Sequence, residues 1–240
     1  MFLVRLRVFA EWHAAQGRSI EVVAPGDDNT ARAVMAMGIG AGSERLVSDR
    51  PLPDAEPGRA VVPITQLHDY SAIEDVAGAT RELLEYQLTD VARLGEAVHM
   101  AVSELCSNAI EHGKHDLGAF IAVERTAAPR RTVSIAIADL GIGIPEHLRQ
   151  RYPEWGDDTF AIGRAMEPGI SGTGHPHRGN GFSETLEAAL APALSAARMD
   201  VHSANGFLRI EVAQERKQLI PFPSATYRRG TWISYDVVSV

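Results

Sequence analysis

Apolar side chains recur at three- and four-residue steps over two stretches of the chain and at two-residue steps over several shorter ones. From about Ala72, the residues Leu83, Leu84, Leu88, Val91, Leu94, Val98, Ala101, Val102, Leu105 and Ala109 keep a helical step. Thr89-Asp90, a pair suited to an N-cap, divides that run into two helices. Near the N-terminus, Leu3, Leu6, Val8, Phe9 and Trp12 predict a helix over 2–16, closed by Gly17. Ser19 to Ala24 reads as a short strand, and a second helix runs from Asp28 to Met37 and stops at Gly38. Alternation marks strands at Ala119 to Arg125 and Thr132 to Ala138, and further strands at Met199 to His202, Phe207 to Ala213 and Thr231 to Val238. Ser183 to Ala191 reads as a helix. Residues 40–63, with Pro51, Pro53, Pro57 and Pro63, read as a linker. The order predicts an α/β sandwich over 63–240, one mixed sheet covered on one face by helices, preceded by a small α/β segment and linker over 1–62.

Composition narrows the class. With 45% hydrophobic and 22% charged residues, the 240-residue chain has the makeup of a soluble globular protein with a substantial core. A formal charge of −8 argues against a broad nucleic-acid surface. The N-terminus is too short and too charged for a signal peptide or membrane span. A single cysteine, Cys106, permits no internal disulfide, and the expected setting is the cytoplasm.

Four short motifs carry the candidate chemistry. Glu104 and Asn108 stand four residues apart and project from one helix face. The Asn108 amide oxygen is a hard neutral ligand suited to Mg²⁺, and the Glu104 carboxylate can take a proton; the same pair also suits a solvated helix face. Asp139 ends an apolar strand and is followed by Leu-Gly-Ile-Gly-Ile-Pro145, in which Gly141 and Gly143 let backbone approach a ring closely. A carboxylate there can accept a hydrogen bond from an exocyclic amine, although Asp-Leu-Gly is also an ordinary turn after a strand. Arg178-Gly-Asn-Gly181 precedes a predicted helix whose N-terminal amides suit phosphate. His175 and His177 flank Pro176 without a third ligand in sequence, which is poor support for a metal.

In this order, the Glu104-x-x-x-Asn108 helix, Asp139-Leu-Gly-Ile-Gly-Ile-Pro145, Arg178-Gly-Asn-Gly181 and Gly230-Thr231 resemble the nucleotide site of the GHKL ATPases. That superfamily includes gyrase B, heat-shock chaperones, mismatch-repair proteins, sensor kinases and anti-sigma kinases. The resemblance spans about residues 75–238, and Asn-Ala-Ile-Glu-His-Gly113 is most similar to the stand-alone bacterial anti-sigma-kinase group. It implies ATP and Mg²⁺ as cofactors, with Asn108 on the metal and Glu104 as the base. Asp139, Gly141, Gly143 and Ile144 would form the adenine box, with Thr231 supporting it. Arg178, Gly179, Asn180 and Gly181 would face the phosphates, with Phe182 where the family usually has leucine, and residues 150–178 would form a lid. The first forty residues resemble the later half of a STAS domain, the partner module of anti-sigma kinases.

The implied activity is ATP hydrolysis or transfer of the γ-phosphate to a protein serine or threonine in bacterial signalling. The implied partners are a protein or phosphoacceptor, with a homodimer also allowed and neither membrane nor nucleic acid expected. Two alternatives stand beside it: a nucleotide-gated interaction switch with little turnover, and a histidine kinase fragment, for which Leu67-His68-Asp69 faintly resembles a phosphoacceptor box.

Overall fold

The computed structural model describes residues 2–57, 59–87, 92–126, 132–170, 194–213, 216–223 and 226–239. The first elements are α1 (Phe2–Ala14), β1 (Ile20–Val23), α2 (Asp28–Ala36), β2 (Glu44–Val47) and β3 (Ala60–Leu67). Two long helices follow, α3 (Tyr70–Gln87) and α4 (Ala92–Gly113). Then come β4 (Ala119–Thr126), β5 (Thr132–Asp139), α5 (Ile144–Arg149) and α6 (Asp158–Ala165). The strands β6 (Leu194–Ala204), β7 (Gly206–Ala213), β8 (Arg216–Phe222) and β9 (Arg228–Ser239) complete the described chain.

Seven strands form one sheet in the order β3-β4-β5-β9-β6-β7-β8, and every pairing in it is antiparallel. The expected mixed sheet is therefore corrected in this respect. The pairs β4-β5, β6-β7 and β7-β8 are consecutive in the chain, and short connections enforce antiparallel pairing. The parallel pair is β1-β2, a separate two-stranded sheet joined through α2.

Helices α3, α2 and α6 are each started by a side chain that satisfies an orphan backbone donor. Asp69 accepts from the Ala72 N–H (2.9 Å), Asp27 from Thr30 (2.8 Å) and Asp157 from Phe160 (2.6 Å). Helix α3 is described to Gln87 and α4 from Ala92; the Thr89-Asp90 pair, where the sequence predicts a break, lies outside the described residues. Val98, Ala101, Val102, Leu105, Cys106 and Ala109 of α4 point into the core with Ile121, Ile135, Ile137, Met199 and Ile233 of the sheet. The Tyr70 hydroxyl donates to Glu111 (2.7 Å), tying the start of α3 to the end of α4.

The opposite face of the sheet is also covered along half its width. Val4 and Val8 of α1, with Val34, Met37 and Ile39, pack on Ile64, Phe120, Ala122, Ala136, Ala138 and Trp232. Strand β5 is thus buried on both faces, whereas β7 alternates buried and half-buried positions. Helices on one face were expected; the N-terminal elements add a second layer.

Residues 40–63 are not a linker throughout. They contain β2 and the start of β3, so a division at 62/63 falls inside a strand. Pro63 is exposed on β3, whose partner in the sheet is β4 alone, an edge position where a missing N–H costs no ladder bond. β8 is likewise an edge strand and carries Pro221, a residue type that weakens the sequence signal for a strand.

A buried ion pair clasps the N-terminal elements together. The Arg7 Nε lies 2.9 and 2.8 Å from the two Glu44 carboxylate oxygens, and another guanidinium nitrogen donates to the Gly38 carbonyl. The Gly40 N–H donates to the same carboxylate (2.8 Å). Gly42 lies against the guanidinium, where a Cβ would come within 2.4 Å of the Arg7 Nε. Removing one partner strands a buried charge, so Glu44→Ala is expected to destabilise folding by about 3–5 kcal/mol in urea melts. The double change Arg7→Met with Glu44→Leu is expected to cost much less. Equal losses in the two variants would contradict the pair's role.

Candidate functional site

Asp139 is the last residue of β5 and is 3% exposed. Its surroundings are built from glycines because backbone occupies the space where side chains would stand. A Cβ on Gly141 would fall 2.1 Å from the Gly113 carbonyl oxygen, and one on Gly230 would fall 2.1 Å from the Asp139 carbonyl oxygen. Gly113, the last residue of α4, lies directly against the Asp139 side chain, 3.1 Å from Cβ to Cβ were one added. Gly143 and Gly230 also have positive φ (82° and 75°), which glycine adopts without strain.

Burial pushes the Asp139 carboxyl up to about 7, against two backbone N–H groups, of Gly141 (2.8 Å) and Thr231, which donate to it and pull the other way. Thr231 therefore supports Asp139 through its backbone N–H. Its hydroxyl lies 3.4 Å from the Ser203 hydroxyl instead. Ser203, fully buried on β6, is a residue the sequence reading missed. It donates to the Gly230 carbonyl (2.8 Å) and accepts from the Ile144 N–H (2.9 Å), so it ties the glycine loop to β9. A serine near a strand end has no distinctive sequence signal.

Helix α4 delivers the other candidates. Glu104, Asn108 and His112 recur every four residues and are all half-buried, flanking the fully buried face that packs on the sheet. At 1.5 Å per residue, Asn108 stands roughly 7 Å and Glu104 roughly 13 Å back along the axis from the Gly113 seat. The His112 ring lies 4.5 Å from that of His147 on α5. Burial, and then the Lys114 charge, hold His147 below its ordinary pKa.

Part of the region read as a lid, residues 150–178, lies outside the described residues, and part belongs to the body of the fold. Residues 158–165 form α6, with Ala161, Ile162 and Met166 buried, and the Asp158 carboxylate accepts from Arg149 and from the Asn205 N–H. This portion belongs to the body because its apolar face completes the core against β7. A cavity of about 330 Å³ beside Gly141 and Ile142 is lined by Arg149, Asp158 and Arg229, and its lining does not include Glu104, Asn108 or Asp139. His175, His177, Arg178, Gly179, Asn180, Gly181, Phe182 and the predicted helix at Ser183 to Ala191 lie outside the described residues. Among the described residues there is no cluster of three or more His, Cys, Asp or Glu arranged to hold a metal. None of the described helices is long and apolar enough to cross a membrane. His68 sits in the turn between β3 and α3, not on a helix.

Residues 67–179, just under half of the chain, match the family of the histidine kinase-like ATPase domain, to which this stretch is similar. Among solved structures the chain is similar to the 43K ATPase domain of Thermus thermophilus gyrase B, in complex with an aminocoumarin, at 21% identity over 70% of this chain and 41% of that one, with a TM-score of 0.35. The B-subunit of the DNA gyrase from Myxococcus xanthus matches at 15% identity over 69% and 43%, with a TM-score of 0.31. The mycobacterial sensor histidine kinase MprB matches at 16% identity over 72% and 98%, with a TM-score of 0.33. The chain spans less than half of the two gyrase chains. No protein with a curated description matches the chain.

The Asp139 proton gives a stability test. Its folded pKa of about 7 lies above the ordinary 3.8, so the folded chain holds this proton more tightly. The resulting stability is full below about pH 4 and is lost as pH rises through 7. Asp139→Asn removes that titration, and the difference from wild type between about pH 4.5 and about pH 8 is expected to be on the order of a few kcal/mol in urea melts. Parallel pH profiles for the two proteins would contradict the burial account.

Proposed function

We propose that this chain binds Mg-ATP with the adenine on Asp139 and turns it over, by hydrolysis or by transfer of the γ-phosphate to a serine or threonine of a partner protein in bacterial signalling. The supporting observation is the Asp139 cradle, where Gly113, Gly141 and Gly230 leave no room for side chains around a buried carboxylate. A dry carboxylate already held by two backbone donors recognises an exocyclic amine, which adenine offers and guanine at the same position does not. The residues present fit the cofactor: a carboxylate acceptor, glycine backbone close to it, and a neutral oxygen ligand on the adjoining helix.

Asn108 would hold Mg²⁺ through its amide oxygen, a hard neutral ligand suited to that cation. Glu104, one turn further back on α4, takes the proton of the attacking water or hydroxyl. Bound Mg-ATP supplies the activated phosphoryl group and the metal that neutralises its charge. Arg178 and Gly179 to Gly181 complete the reading on the phosphate side; they rest on the sequence motif.

In calorimetry, Asn108→Ala is expected to lose Mg-dependent ATP binding; unchanged affinity would remove the metal role. Glu104→Gln is expected to bind ATP normally while ADP release falls by roughly 10²–10⁴-fold. Slow turnover indifferent to that change would favour the nucleotide-gated switch. Wild-type protein that binds GTP as well as ATP would overturn the adenine role of Asp139.

A further inference from the structure

On the face of the sheet away from α3 and α4, four aromatic side chains stand opposite one another on four adjacent strands. Trp232 on β9 faces His202 on β6, His202 faces Phe207 on β7, and Phe207 faces Phe222 on β8. The His202–Phe207 and Phe207–Phe222 rings stack at 5.4 and 5.2 Å. The N-terminal helix packs over β3, β4 and β5, so this row begins at the margin of that cover.

Two arginines meet at that margin from different elements. Arg5 of α1 places its guanidinium 5.6 Å from the Trp232 ring centre, and Arg228 opens β9 opposite Ala204. The Nε of each is buried and has no hydrogen-bond partner. A donor left unmade inside a protein is destabilising. The two charges also oppose one another: burial, then Arg228, hold Arg5 below its ordinary pKa, with Asp200 acting in the other direction. Asp200 is already engaged by Arg209 at 2.6 and 2.9 Å, and the Arg209 guanidinium lies over Phe222. His202, a ring nitrogen of which bonds the Thr226 backbone, is held below its ordinary pKa by burial, then Arg228, then Arg5. Among the described residues, this margin therefore gathers two buried donors that lack a hydrogen-bond partner, beside an Asp200 carboxylate already engaged by Arg209.

We propose that Arg5 and Arg228, beside His202, form a binding site for a phosphate group on the outer face of the sheet, distinct from the Asp139 site. Two guanidiniums approaching from separate elements match a tetrahedral dianion in both charge and number of acceptor oxygens. A bound phosphate satisfies both Nε donors and removes the repulsion between the arginines. The site depends on α1 lying against β9, because Arg5 and Arg228 come from opposite ends of the described chain.

The test is an NMR titration of full-length protein with inorganic phosphate in chloride buffer, following the His202 ring resonance assigned by its loss in His202→Asn. The expected result is a saturable shift with a raised His202 pKa, since phosphate offsets the two arginines. Arg228→Gln is expected to raise the His202 pKa without phosphate and to weaken phosphate binding by about tenfold or more. It is also expected to leave Tm unchanged or higher, because it relieves repulsion; a purely structural arginine would lower Tm. Arg5→Gln should weaken phosphate in the same way, and Asp139→Asn should leave the response intact. Phenyl phosphate in a parallel titration separates sources: a matching response identifies a phosphate ester, and exclusion of the ester identifies free phosphate. A His202 resonance indifferent to phosphate, a response retained in Arg228→Gln, or one abolished by Asp139→Asn would overturn the proposal.

Discussion

The structure turns on a carboxylate kept out of water. Asp139 closes β5 at a point where the end of α4, the following glycine loop and the start of β9 all converge. Burying an ionised carboxylate is expensive, and two backbone donors offset only part of that cost. What remains is a poised group whose protonation changes near neutrality. The contacts of Gly113, Gly141 and Gly230 are consequences of this convergence, since three backbones cannot approach so closely with side chains between them.

Both layers of the protein contribute to that dryness. Helix α4 buries one side of β5, and the N-terminal elements bury the other through Val4, Val8, Phe120, Ala136, Ala138 and Trp232. The Arg7–Glu44 clasp therefore acts on the Asp139 cradle indirectly, by holding α1 and the α2-β2 connection as one unit behind the sheet. The same packing brings Arg5 to β9 and creates the positively charged margin on the outer face. One arrangement of α1 thus serves the dielectric of one site and the composition of another.

Much of this was readable from residue order. The helical step of Val98, Val102, Leu105 and Ala109 predicts the face of α4 that packs inward, which leaves Glu104 and Asn108 beside it. Asp139 followed by two glycines predicts a carboxylate at a strand end with backbone close to it. Less legible were β2 and β8, short edge strands whose charged or proline-bearing sequences lack alternation, and β3, where Pro63 breaks the pattern. The function of Ser203 could not be read at all, because its partners at Gly230 and Ile144 lie 27 and 59 residues away. Nor does local sequence show that α6 packs into the body, since its apolar face finds β7 only through the tertiary fold.

If a nucleotide amine becomes the third donor to Asp139, it favours the ionised carboxylate, and binding is expected to release its proton. Calorimetry of Mg-ADP binding near pH 6.5, in two buffers of different ionisation enthalpy, measures that proton directly. With a free-state pKa of about 7, the account predicts release of a large fraction of one proton by wild type and none by Asp139→Asn. Nucleotide binding with no proton release, or with release unchanged in Asp139→Asn, would contradict the assignment of this buried carboxylate as the adenine contact.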